Sequence, residues 1–343
     1  GFFKDQMGLA LRSDWEVAGN TYPAGALLAI DLNEFLAGGR DFDVLFEPEE
    51  RVSFGGLGTT KNHVLYTTLD NVRGRLYRLT PTEDGWAREE IDLPGLGTVG
   101  IGSTSDVDDS FFFYYTDFLT PSSLYFVPDG GEPRIVKNSP SWFDPEGMSV
   151  DQSEVASADG VMIPSFVVKP AGFEADGKNP TALYGYGGFE NSMLPSYLGS
   201  KGPSWVSRGG VYVLANIRGG GEFGPSWHKA AVKENHQRNF DDFTAVAEDL
   251  IARKITSPEH LGIWGGSQGG LLVGGSFVQR PELFNAVVCE VPLLDMKRYN
   301  KLLAGASWMA EYGNPDTDDW DYIKTWSPYQ NLDPEKDYPE VFF

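Results

Sequence analysis

One cysteine, Cys289, occurs in 343 residues, so an intramolecular disulfide framework is excluded. Its place in the apolar run Ala286-Val287-Val288-Cys289 marks it as a small core residue. No run of about 18 apolar residues occurs, which removes a membrane-spanning helix from consideration. Positive charge is scarce as well. Twenty-seven basic residues against 49 acidic ones leave a net charge of −22, and this argues against nucleic acid or an anionic membrane surface as partner. The imbalance reads as a solvated acidic surface, of the kind a salty habitat favours, and no metal or other cofactor is expected. The first residues, Gly1-Phe2-Phe3-Lys4-Asp5, include no initiator Met and form neither a signal peptide nor a targeting helix. A cytoplasmic location is expected, with the periplasm as alternative because a signal peptide could precede Gly1. Histidine is limited to four positions, His63, His228, His236 and His260.

Against these absences stands the pentapeptide Gly265-Gly266-Ser267-Gln268-Gly269. It fits the Gly-x-Ser-x-Gly elbow, in which a sharp turn lifts a serine hydroxyl out of a sheet and the glycines leave room for neighbouring backbone. Leu261-Gly262-Ile263-Trp264 before it reads as a short buried strand, and Gly270-Leu271-Leu272-Val273 after it can open a helix. The alternative is a plain Gly-rich turn between strand and helix.

The length suggests two domains. In the first part, Leu28-Ala29, Leu76-Tyr77 and Leu124-Tyr125 recur every 48 residues, each in an apolar strand that follows a turn. Upstream of the second and third, the strand-like runs His63 to Thr68 and Phe111 to Thr116 keep the same spacing. Short strands, turn residues such as Asn71, Gly74, Pro121 and Ser122, and this period fit four-stranded propeller blades. About three blades are expected over residues 1–143, too few to close a ring; a small antiparallel β-domain with accidental spacing is the alternative. Around Asn138-Ser139-Pro140-Ser141-Trp142-Phe143-Asp144-Pro145 the composition turns to loop formers, and a boundary is placed there. Residues 144–343 then alternate apolar strands (Met162 to Val168, Ala182 to Tyr186, Val211 to Asn216, Ala286 to Val291) with helices, among them Asp241 to Lys254. This pattern implies a mostly parallel sheet covered on both faces, an α/β-hydrolase sheet.

Three runs in order, Tyr184-Gly185-Tyr186-Gly187-Gly188-Phe189, Asn216-Ile217-Arg218-Gly219-Gly220-Gly221-Glu222-Phe223-Gly224 and the elbow, resemble the peptidase domain of the prolyl oligopeptidase family. Trp227-His228-Lys229, Asn239-Phe240-Asp241-Asp242-Phe243 and Gln279-Arg280-Pro281-Glu282-Leu283-Phe284 match too, so the resemblance covers about residues 145 to 343. It implies a propeller ahead of an α/β-hydrolase domain, both incomplete in this chain. The implied activity is hydrolysis of short proline-containing peptides on the carboxyl side of proline through an acyl-enzyme on Ser267.

By the same resemblance, Tyr186 supplies one oxyanion donor through its hydroxyl. The backbone N–H of Gln268 supplies the other, although the family commonly has Asn at that position. Phe189, Leu293, Trp308 and Tyr312 map onto the pocket that receives proline, with Trp308 as stacking platform; for each, simple core packing is the alternative. Serine needs a base held by a carboxylate, and in α/β-hydrolases these follow the serine in the order Asp, His. No histidine follows Ser267. The sequence is therefore expected to be cut at both ends and inactive by itself, with Asp, His and a substrate-binding Arg beyond Phe343. Other readings left open are an acyl hydrolase or peptidase of different specificity and a catalytically silent, propeller-bearing binding protein.

Overall fold

The computed structural model describes residues 1–83 and 85–343, which group into two units. The first comprises Gly1–Ser141 with Leu194–Leu198 and Glu222–Ser226; the second comprises Trp142–Met193, Gly199–Gly221 and Trp227–Phe343.

Short alternating strands dominate the first unit because β-branched and aromatic residues are spaced by two between turn formers. Its strands pair as three four-stranded antiparallel sheets. These are Phe2–Phe3, Gln6–Ala10, Leu27–Asp31 and Asp43–Phe46; then Val52–Thr59, Val64–Asp70, Arg73–Thr82 and Gly85–Ile91; then Thr98–Thr104, Phe111–Thr116, Ser123–Val127 and Arg134–Asn138. The pairs that recur every 48 residues, Leu28-Ala29, Leu76-Tyr77 and Leu124-Tyr125, lie in the third strand of each sheet. Second and third strands are tied by stacked rings in two of the sheets, Tyr66 on Tyr77 at 5.0 Å and Phe113 on Tyr125 at 4.7 Å. A two-stranded hairpin, Trp15–Val17 with Asn20–Tyr22, is the addition the sequence pattern did not announce.

The second unit is built on a seven-stranded sheet. Its spatial order is Ser149–Ala156, Met162–Lys169, Val211–Ala215, Thr181–Tyr184, Leu261–Gly266, Ala286–Glu290 and Glu340–Phe342. The first two pairings are antiparallel and the other four parallel. Val211–Ala215 is buried along its whole length, as a strand covered on both faces must be. Helix Gln237–Ala252 lays Phe240, Phe243, Val246, Ala247 and Leu250 into the core at helical spacing.

That helix begins four residues ahead of the apolar pattern at Asp241. Asn239, though polar, points inward and spends its amide on buried carbonyls, so polarity there does not mark the boundary. Left-handed Lys254, at φ +56°, lies just past its end. Similar local causes shift the strands. The strand expected to reach Tyr186 stops at Tyr184, where a Gly-rich loop departs, while the elbow strand extends through Gly266 by pairing Gly265 with Cys289 and Gly266 with Glu290. Cys289 is fully buried, and burial pushes its thiol up to about 11. No helix among the described residues is long and apolar enough to cross a membrane.

Candidate active site

Ser267 sits between the elbow strand and helix Gln268–Gln279 with φ +59° and ψ −116°, a conformation side chains disfavour. Adjoining backbone holds it there. Its N–H donates to the Glu290 carbonyl at 3.0 Å, and its own carbonyl accepts from Leu271 N–H at 3.1 Å. Glycine is required at two flanking positions: a Cβ on Gly265 would lie 2.2 Å from the Gly269 carbonyl oxygen, and one on Gly269 would lie 2.8 Å from that of Gly185. The turn leaves Ser267 exposed while its neighbour Gln268 is fully buried. As the first residue of the helix, Gln268 has a backbone N–H with no intrahelical acceptor, at the positive end of the helix dipole and next to the serine. An exposed serine beside a helix-terminal N–H suits attack on a carbonyl whose oxygen becomes anionic.

The Gln268 side chain enters a buried polar network. Its Oε1 accepts from the Tyr312 hydroxyl at 2.5 Å, and its Nε2 lies 3.3 Å from both the Gly187 carbonyl and Asn239 Oδ1. Asn239 Nδ2 in turn donates to the Gly187 and Arg218 carbonyls at 2.6 and 2.9 Å. Arg218 carries the chain of contacts onward, its guanidinium bonding Asp242 at 2.6 and 2.9 Å and Asp159 at 2.6 and 3.0 Å. Burial opposes the charge on Arg218, but the hydrogen bonds to Asp242 and Asp159 outweigh it and hold the guanidinium protonated. Burial, then the neighbouring Glu311 carboxylate, push the Tyr312 phenol well above its usual range, so it remains a neutral donor.

Tyr186 is half-buried, with a ring carbon 3.7 Å from where a Cβ on Gly269 would stand, so its ring packs against the back of the elbow. Phe189, Leu293 and Trp308 are half-buried and border the unit's main core. Tyr312, expected with them on a pocket wall, is instead fully buried. It reaches the site through its hydroxyl on Gln268 and through its ring, edge-on to Phe189 at 5.8 Å.

Among the described residues of the second unit, no histidine is hydrogen-bonded to Ser267. His260 precedes the elbow strand, at the end opposite Ser267, and His63 belongs to the first unit. His236 is fully buried among Phe240, Tyr312 and Trp326; burial lowers its pKa to about 4, and its Nδ1 donates to the Ala231 carbonyl. His228 Nε2 is engaged by Glu311 Oε2 at 2.8 Å. Glu311, which also accepts the Phe189 N–H at 2.8 Å, is the site residue that sequence reasoning missed. One acidic residue ahead of Tyr312 carries no motif that would single it out.

Comparison with known proteins gives a consistent picture. A family model described as "Prolyl oligopeptidase family" matches residues 198–343. An uncharacterised peptidase of Sinorhizobium fredii is 44% identical over 100% of this chain and 48% of its own length. A prolyl endopeptidase of Elizabethkingia miricola is 35% identical over 87% and 42%. A solved post-proline cleaving enzyme from Rickettsia typhi superposes with a TM-score of 0.93 at 41% identity, over 99% of this chain and 50% of that one. The chain thus spans about half the length of the curated relatives it matches.

Proposed function

The chain belongs to the prolyl oligopeptidase family, and from that premise we propose that the protein containing it is a serine peptidase that cleaves short peptides after proline. The observation that carries the reading is Ser267, exposed on a strained elbow at the carboxyl end of a parallel strand.

In this reading Ser267 Oγ adds to the carbonyl carbon of the proline residue. The carbonyl oxygen, now anionic, is received by the Gln268 N–H and the Tyr186 hydroxyl. Collapse breaks the C–N bond, the amine leaves with a proton, and water then hydrolyses the ester on Ser267. The base that takes the hydroxyl proton is none of the histidines of this chain, and the proposal places it outside residues 1–343. Phe189, Leu293 and Trp308 form a flat apolar slot for the proline ring, with Trp308 stacking on it. Tyr312 backs that slot from behind. The acidic surface makes flexible peptides, and neither nucleic acid nor anionic membrane, the expected partners.

The test uses the full-length protein and a Gly-Pro amide reporter. Cleavage and fluorophosphonate labelling are expected in the wild type, with Ser267→Ala losing both, the rate by several orders of magnitude. Tyr186→Phe is expected to lower kcat by roughly 10- to 1000-fold, the scale for one oxyanion donor. Trp308→Ala should cost proline reporters more than alanine ones; equal losses would make Trp308 core packing. Faster cleavage after Arg or Lys than after Pro would overturn the pocket and leave the hydrolase intact. Absence of any cleavage or labelling by the wild type would favour a silent binding protein.

A further inference from the structure

Phe189 and Glu190, neither of them glycine, are consecutive left-handed residues with φ of +55° and +58°. Such conformations persist only where the surroundings over-determine them. Here the Glu190 N–H donates to the Gly219 carbonyl at 3.2 Å, and the Phe189 N–H donates to Glu311 Oε1 at 2.8 Å. The second oxygen of that carboxylate accepts from His228 Nε2 at 2.8 Å, which fixes a proton on that nitrogen. The other ring nitrogen of His228 faces Glu190 Oε2 at 3.9 Å. The Glu311 side chain is only 7% exposed, so its two oxygens are committed to donors that hold it in one orientation. The next residue, Tyr312, supports the Phe189 ring edge-on and donates to Gln268. Two adjacent side chains of one short helical turn, Met309–Tyr312, thereby address the backbone of Phe189 and the residue after Ser267.

We propose that Glu311 is a positioning residue that sets the preference of the site for proline by holding the Phe189 backbone, and with it the ring, in the wall of the pocket. This rests on the proposed reading of Phe189 as a wall of the proline slot. Without the carboxylate, the N–H of Phe189 loses its buried acceptor and the left-handed turn keeps only the Glu190 N–H bond to the Gly219 carbonyl. The ring then leaves the position that matches a flat, rigid substrate. An alanine side chain, which never reaches that ring, loses little.

The experiment compares kcat/KM on matched Gly-Pro and Gly-Ala amide reporters in the full-length protein. The ratio of the two does not depend on what fraction of molecules is folded. Glu311→Ala is expected to cut the Pro-over-Ala ratio by about tenfold, chiefly through KM on the proline reporter. Glu311→Leu keeps the volume without an acceptor and carries the same expectation should the Ala variant not fold. Glu311→Gln retains an oxygen for the Phe189 N–H and is expected to restore the ratio. A wild type that shows no preference for proline removes the reading of the pocket itself. A wild type that prefers proline, with a ratio unchanged to within about twofold in Glu311→Ala or Glu311→Leu, overturns the role of Glu311 alone. Gln behaving like Ala overturns the acceptor role.

Discussion

The elbow at Ser267 and the wall turn at Phe189–Glu190 both hold non-glycine residues in left-handed conformations, yet only the wall turn draws on side chains distant in sequence. At the elbow the support is backbone from the adjoining strand and helix, with glycines admitting the close approach. At the wall turn backbone contributes the Glu190 N–H bond to the Gly219 carbonyl, and side chains from afar are added to it, Glu311 on the Phe189 N–H and Asn239 on the Gly187 carbonyl. A backbone-held turn fails when bulk is added to it. A turn that also leans on distant side chains fails, in addition, when a polar atom elsewhere is taken away.

The sharpest break is expected at the elbow. Gly265→Ala forces a Cβ to within 2.2 Å of the Gly269 carbonyl oxygen and should cost about 5 kcal/mol or more, enough to prevent folding. At Gly266 the nearest atom to such a Cβ is 3.6 Å away, so Gly266→Ala should stay within about 1 kcal/mol. Soluble yield and thermal unfolding of the full-length protein separate the two, and equal behaviour would dissolve the steric account of the elbow.

At the wall turn, Asn239→Ala adds no bulk but strands the Arg218 carbonyl and leaves the Gly187 carbonyl only the longer bond from Gln268 Nε2, at an expected cost of about 2–3 kcal/mol. A thermal shift no larger than that of an exposed substitution would show that the turn does not depend on this distant amide.

Acid offers a third lever on the same side, because His236 packs edge-on to Tyr312 at 5.5 Å. Burial lowers its pKa from 6.5 to about 4, against the opposing pull of the Ala231 carbonyl and Glu311, so protonation favours the unfolded chain. Its neutral state is harmless above about pH 6.5; the penalty grows as pH falls from 6.5 to 4 and reaches on the order of 3 kcal/mol below that. His63, also lowered by burial, opposes folding in the same direction as pH falls below 6.5, within the first unit. Asp159, Asp109 and Asp295, held below the usual carboxylate range, lose their stabilising contributions only at lower pH. Unfolding measured from pH 7 to 4 should therefore be flatter in His236→Phe than in the wild type, and parallel slopes would count against a buried neutral imidazole.

The smallest effect belongs to Tyr312→Phe, which removes one donor from Gln268 Oε1 while keeping the ring against Phe189. About 1 kcal/mol of stability should go, with the Pro-over-Ala ratio retained because the Phe189 N–H keeps its acceptor. A collapse of that ratio would move the control of specificity from Glu311 to the Gln268 network.

This contrast also decides what could be read from the chain. The elbow is legible because backbone strain, glycine and serine fall within five consecutive residues. The third strands of the three small sheets are legible because equivalent strands repeat their apolar pairs at constant spacing. Glu311 was not legible, since its meaning depends on Phe189, 122 residues away, and a lone carboxylate beside a tyrosine usually signals solvent. Tyr312 is expected on a pocket wall but is fully buried, and a motif match cannot distinguish a ring that lines a cavity from one buried behind it. The early start of helix Gln237–Ala252 was hidden for a related reason: Asn239 is polar in composition yet interior by virtue of its partners.

The separation between Phe189 and Glu311 sets a schedule for biosynthesis. At about 5–20 residues per second a ribosome needs on the order of ten seconds to add the 122 residues between them. For that interval the nascent chain contains the residues of the left-handed turn without the carboxylate that anchors it. The elbow, whose strand, serine and helix emerge almost together, has no comparable wait.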